Sequence, residues 1–305
     1  MIVNYHVSKQ MEKVLKESYL SDGNRGKRIL HICLDGFSYE DLSKCSFLTR
    51  LVLKNMLFCN AVADSTDIKA SWDCVNYGVP ARHLDTIEKR TNLSELFEKS
   101  YRFNEFCIGD KTPDNLIMMY KLLPYDWDYL MVGLLFKTNL KEMDNYINEL
   151  FKLLRPEMFV IHGLRGARRD VKSWDARYGP HEKMGINYSN TFIIMKGEQQ
   201  FDDSLCNLSN LYYTFMKMSN KLILDEPLGI DLQTNKPSTS VWCESGLRED
   251  KTSIFIQEGR IKTVYDRKAE KITFYVYEDI GKERLSTKPT KEHYVLESRI
   301  KSSLV

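Results

Sequence analysis

The chain has 305 residues, 43% of them hydrophobic, and a formal net charge of +2. That is enough apolar material for one large core, or a core with an appendage, and too little charge to argue for nucleic acid or a membrane surface as partner. Seven cysteines, at 33, 45, 59, 74, 107, 206 and 243, form no Cys-x-x-Cys pair and several sit in apolar runs. This is the pattern of reduced, buried thiols and excludes a disulfide framework. Residues 1–24 are charged throughout and lack an apolar core, so no signal peptide is expected there. No apolar run has the length to span a bilayer, and a cytoplasmic protein is the expectation.

In chain order, Met11 to Leu20 reads as a short amphipathic helix. The run Ile29-Leu30-His31-Ile32-Cys33-Leu34 then reads as a buried parallel strand ending on Asp35-Gly36. Leu48 to Met56 reads as a helix and Leu57 to Val62 as a strand. Asn92 to Lys99 has an amphipathic period, and Phe106 to Gly109 and Tyr129 to Phe136 read as strands. Asn139 to Leu154 is a helix on the spacing of Met143, Tyr146, Ile147, Leu150, Phe151 and Leu154, stopped by Arg155-Pro156. Met158 to Ile161 and Thr191 to Met195 are further strands.

This alternation predicts an α/β fold with a mainly parallel central sheet and helices on both faces. From Ser238 the character changes. Ser253 to Gln257, Ile261 to Tyr265 and Ile272 to Tyr277 are short strands with Gly or charged turns between them, a small C-terminal antiparallel sheet. The expected organisation is an α/β domain over 1–237 and a β subdomain over 238–305, with Lys236-Pro237 as the hinge.

Asp35 stands at the carboxyl end of a parallel strand, where ligands and metals collect in open α/β sheets. Its blander role is that of a turn-forming acid. Arg165, Arg168, Arg169 and Arg177 make a basic run whose guanidinium forks suit phosphate or sulfate, although such runs are commonly solvated faces. Trp72 and Trp174 flank these segments, lining a pocket or packing.

The order of the pieces resembles the alkaline phosphatase and sulfatase superfamily over most of the chain. In that family a strand ends in a metal-binding aspartate, as Leu34-Asp35-Gly36 does here, and a helix opening with the nucleophile follows. Next come a Ser-containing turn and a Gly-x-x-Pro-x-x-His signature. Here stand Ala70-Ser71-Trp72 and Gly78-Val79-Pro80-Ala81-Arg82-His83, one residue shorter between Gly and Pro. Thr91 to Tyr101 and Ile108-Gly109-Asp110-Lys111 are similar to the following helix and strand end. Met158-Phe159-Val160-Ile161-His162-Gly163 resembles the approach to the family's Asp-His-Gly, and Tyr178-Gly179-Pro180-His181 its last histidine ligand. Leu208 to Ile230 and Tyr275 to Asp279 are similar to its C-terminal pattern.

The resemblance implies a nucleophilic Thr, Ser or modified Cys against one or two divalent cations, which activate it and neutralise charge on a phosphate or sulfate ester. It implies Asp35, His162 and His181 as ligands of one Zn, Mn or Ca ion and, through a local shift of the helix start, Thr66 as the attacking hydroxyl, with Ser65 or Ser71 as lesser candidates and helix capping as the blander role; the four arginines are the anion-binding candidates. His83 matches a residue read as structural. The chain also departs from the pattern. Ile68 falls where the nucleophile is expected, Ile161 where an acid precedes His-Gly, and Phe136-Lys137-Thr138-Asn139 carries neither the Asp nor the His of the corresponding stretch.

Two functions therefore stand side by side. One is a metal-dependent hydrolase or transferase of a phosphate or sulfate ester with an incomplete metal site. The other is a catalytically inactive or repurposed member, without a metal, that binds an anionic ligand or a protein partner.

Overall fold

The computed structural model describes residues 28–104, 127–135, 140–165, 189–219, 229–233, 240–245, 253–267, 269–279 and 282–304. The helix expected over Met11 to Leu20 and the strand over Phe106 to Gly109 lie outside them. The main sheet contains β1 (Ile29–Asp35), β2 (Met56–Val62), β3 (Ser100–Asn104), β4 (Tyr129–Leu135), β5 (Met158–Arg165), β6 (Asn190–Met195), β7 (Gln200–Asp202) and β8 (Cys206–Asn207). Its order is β3-β4-β1-β5-β6-β2-β7, with β8 also on β2. All described pairings are parallel except those of β6, which runs antiparallel to both β5 and β2. The sheet is mixed and mostly parallel.

Alternation along the central strands supplies a core on each face. On one face Leu30, Ile32, Leu34, Phe159 and Ile161 meet helix α1 (Ser46–Val52) and helix α3 (Leu140–Leu154), which buries the predicted Met143, Tyr146, Ile147, Leu150 and Leu154. On the other face Ile29, Cys33, Met131, Val160 and Leu164 meet α2 (Ile68–Tyr77) and α4 (Asn210–Ser219) through Trp72, Val75, Leu211, Tyr212 and Phe215. Helix α3 ends as its sequence dictates: Arg155 adopts φ 44°, a left-handed cap, and Pro156 blocks another turn.

A second sheet of five antiparallel strands follows, in the order β13-β12-β11-β10-β9: β9 (Ser240–Ser245), β10 (Ser253–Glu258), β11 (Ile261–Asp266), β12 (Lys271–Asp279) and β13 (Lys282–Leu285). Val241, Cys243, Phe255, Val264 and Tyr275 pack on Val62 of β2 and on Leu205. The Asn207 side chain imitates a strand partner, donating to Trp242 O (2.7 Å) and accepting from Trp242 N (3.1 Å). Helix α5 (Lys291–Ser302) covers the outer side of this sheet with Leu296 and Ile300 against Ile256. Among the described residues no helix is long and apolar enough to cross a membrane.

Candidate site at the carboxyl edge of the main sheet

Asp35 is the last residue of β1, 2% exposed. Its turn is completed by Gly36 at φ 75°, a backbone conformation that favours glycine. The strand beside it, β5, does not end in step. Leu34 pairs with Gly163, but Asp35 pairs with Arg165, so Leu164 is an extra residue on β5. This is a β-bulge in a parallel pair, and its effect is to re-aim the next side chain. Arg165 is thereby turned onto Asp35, donating from Nε to Oδ1 at 2.6 Å and from Nη2 to Oδ2 at 3.1 Å. The pair is bidentate and largely out of water, with side chains 16% and 3% exposed.

The carbonyls that the bulge displaces are held by side chains. Leu164 O accepts from Ser71 Oγ of α2 at 2.8 Å. Gly163 O lies 3.0 Å from Nδ1 of His162. A Cβ at Gly163 would approach Phe37 O to 2.6 Å and press into Thr191, so only glycine fits at that position.

The third group of Arg165, Nη1, donates to Thr66 O at 3.0 Å. Thr66 is buried in the loop between β2 and α2, and its N–H donates to Glu244 O of β9 at 3.0 Å. Ser65 Oγ donates to the same carbonyl at 2.9 Å, and Glu244 N to Asp64 O at 3.0 Å. The second sheet thus clamps the loop that carries the proposed nucleophile. Asp67 caps α2, accepting from Ala70 N at 2.9 Å. Ile68 is the first residue of that helix and packs on the Trp72 side of the core.

His162 lies inside the sheet. It is fully buried on β5, with Nε2 2.8 Å from Nε2 of His31, whose Nδ1 is 2.6 Å from the Tyr129 hydroxyl. Because Gly163 O can only accept, His162 carries its proton on Nδ1. In the neutral pair His31 then donates from Nε2, and Tyr129 donates to His31 Nδ1. This ladder crosses β4, β1 and β5. Burial holds the His162 pKa down at about 4, against a smaller upward pull from the Gly163 bond.

The described structure therefore brings Asp35, Arg165 and Thr66 together, and engages both ring nitrogens of His162 elsewhere. His181, Arg168, Arg169 and Arg177 lie outside the described residues. Both oxygens of Asp35 accept from Arg165, a cation that the chain supplies, and among the described residues no three His, Cys, Asp or Glu side chains converge on a metal position. The described part of the site thus sets a guanidinium against Asp35. Ile161, which stands where an acid would precede His-Gly, pairs with Ile32 inside the sheet, and the residue level with Asp35 is Arg165.

Two participants are not obvious from the sequence. Glu244 reaches the loop from a strand nearly two hundred residues downstream. Asp64 is buried, its carboxylate accepting from Ser209 Oγ (2.7 Å) and Ser209 N (2.8 Å). Burial raises its pKa to about 7 despite those bonds and the field of Arg82.

No family model and no curated protein matches the chain. Solved structures do. The phosphonate monoester hydrolase SpPMH from Silicibacter pomeroyi superposes with a TM-score of 0.70 at 8% identity, over 91% of this chain and 94% of that one. The chain has the alkaline phosphatase superfamily fold. The PsFucS1 sulfatase from Pseudoalteromonas sp. gives a TM-score of 0.62 at 11% identity, over 93% and 87% of the two chains. An alkaline phosphatase superfamily protein from Vibrio parahaemolyticus gives 0.61 at 10%, over 98% and 97%. The sulfatase-like fold thus runs through both sheets of this chain, and the Asp35–Arg165 pair stands at the carboxyl edge of its main sheet.

Proposed function

We propose that this chain is a repurposed sulfatase-like protein that holds a small anionic ligand, a phosphate or sulfate group, at the carboxyl edge of the main sheet without hydrolysing its ester. The observation carrying this reading is the bidentate Arg165–Asp35 contact, which sets a guanidinium charge against the carboxylate on the side where a divalent ion would need to sit. Ile68 at the first position of α2 offers no nucleophile, and the Thr66 backbone is held on both sides, by Arg165 and by Glu244. A guanidinium has five N–H groups, of which Arg165 spends three on Asp35 and Thr66. The other two are available to an anion at this partly exposed side chain, with Arg168, Arg169 and Arg177 as further donors from the same stretch of sequence. The six described cysteines are buried thiols, in keeping with a reducing, cytoplasmic setting.

The test has two arms. Purified protein with added Zn, Mn or Ca is expected to turn over an aryl sulfate and an aryl phosphate no faster than buffer. Inorganic sulfate or phosphate is expected to raise the melting temperature saturably, and Arg168→Glu with Arg169→Glu to abolish that rise. Rapid metal-dependent turnover that Thr66→Ala removes would instead establish the hydrolase, with Thr66 attacking and Asp35, His162 and His181 on the metal.

A further inference from the structure

We infer that Arg165 is a built-in replacement for a divalent cation at Asp35. A carboxylate 2% exposed at the end of a parallel sheet needs a counter-charge, because an isolated buried charge is costly. The guanidinium supplies it and does more. It gathers three oxygens from two separate segments: Asp35 Oδ1 at 2.6 Å, Asp35 Oδ2 at 3.1 Å and Thr66 O at 3.0 Å. A carboxylate and a backbone carbonyl are the oxygen donors that a hard cation would gather. Here all three are drawn to a planar cation that cannot lose its charge.

The placement is built into the backbone. The bulge at Leu164 brings Arg165 level with Asp35, and Ser71 Oγ and His162 Nδ1 hold the two carbonyls that the bulge displaces. These contacts fix the backbone that carries Arg165. A divalent ion entering among these oxygens would meet a fixed positive charge within contact distance, and like charges at that range repel strongly. Asp35, Arg165 and Thr66 form a closed set that ties β1, β5 and the start of α2 together as a bound metal would.

This inference does not depend on anion binding at the edge. Metal-independent turnover would defeat the proposed function and leave the cation replacement standing. Thermal melts of the full chain test it. In wild-type protein, Zn, Mn and Ca are expected to give no saturable rise in melting temperature, where a site filled at about 100 times its Kd gives a rise of about 5 °C. Arg165→Gln is expected to lower the melting temperature by about 10 °C, and the double variant Asp35→Asn with Arg165→Gln to recover at least about half of that loss. Should Arg165→Gln be too unstable to purify, the double variant decides by folding or failing to fold. A wild-type metal shift that Asp35→Asn removes would overturn the inference, and so would a double variant no more stable than Arg165→Gln alone.

Discussion

Asp64 carries the clearest titration in the loop that holds Thr66. Its folded pKa of about 7 lies above the ordinary 3.8, so the folded state binds the extra proton between those values. The stability term is fully present below about pH 4 and is lost as pH rises through about 7. His162 acts in the opposite sense: its folded pKa of about 4 lies below the ordinary 6.5, and its term is lost as pH falls through that interval. Asp64→Asn removes the first term alone. The difference in melting temperature, variant minus wild type, should therefore become more positive between about pH 5 and about pH 8. A difference that stays constant would show that Asp64 is already ionised in the folded protein. The strand end at Asp35 was legible in the sequence because an apolar run stops there on Asp-Gly, a pattern that serves a turn as well as a ligand. Its partner was not. The bulge at Leu164 shifts the register by one residue, and no local pattern announces it, so Arg165 read as one more member of a basic run.

At the scale of elements, the boundaries that sequence marks well are those with a chemical stop. The Pro156 stop, the apolar strands β1, β2 and β4, and the heptad-like face of α3 all fall within a residue or two of expectation. Elements that owe their form to a distant neighbour were missed. Strand β9 is a short polar-flanked segment paired through β10 and the Asn207 side chain, and α5 presents only Leu296 and Ile300 as buried aliphatic anchors. Helix α1 shows the same dependence. Its N-terminus is capped from α3, where Asp144, 3% exposed, accepts from Phe47 N (2.7 Å), Leu48 N (2.9 Å) and Ser46 Oγ (3.2 Å). Asp144→Ala removes three bonds to the positive end of a helix and leaves buried N–H groups unpaired. A loss of about 2–3 kcal/mol in urea unfolding is expected. A loss below about 0.5 kcal/mol would mean that the loop before α1 supplies a replacement cap.

Over the whole molecule, the two sheets meet at the loop that follows β2. Val62 ends β2 in the core between the sheets, and the next residues, Asp64 to Thr66, are bonded in turn to Ser209 and Glu244. The α/β alternation and the antiparallel appendage could be read from the chain because strands and helices carry different periods. The reversed direction of β6 could not, since a strand's pattern is the same whichever way it runs. Together the bulge and the Arg165–Asp35 pair give this fold a strand-end carboxylate that faces a guanidinium of the same chain. The most direct measurement is the metal content of wild-type protein purified without chelator or added salts. Zn, Mn and Ca are each expected to fall far below one equivalent per chain; one equivalent that disappears in Asp35→Asn would contradict the account.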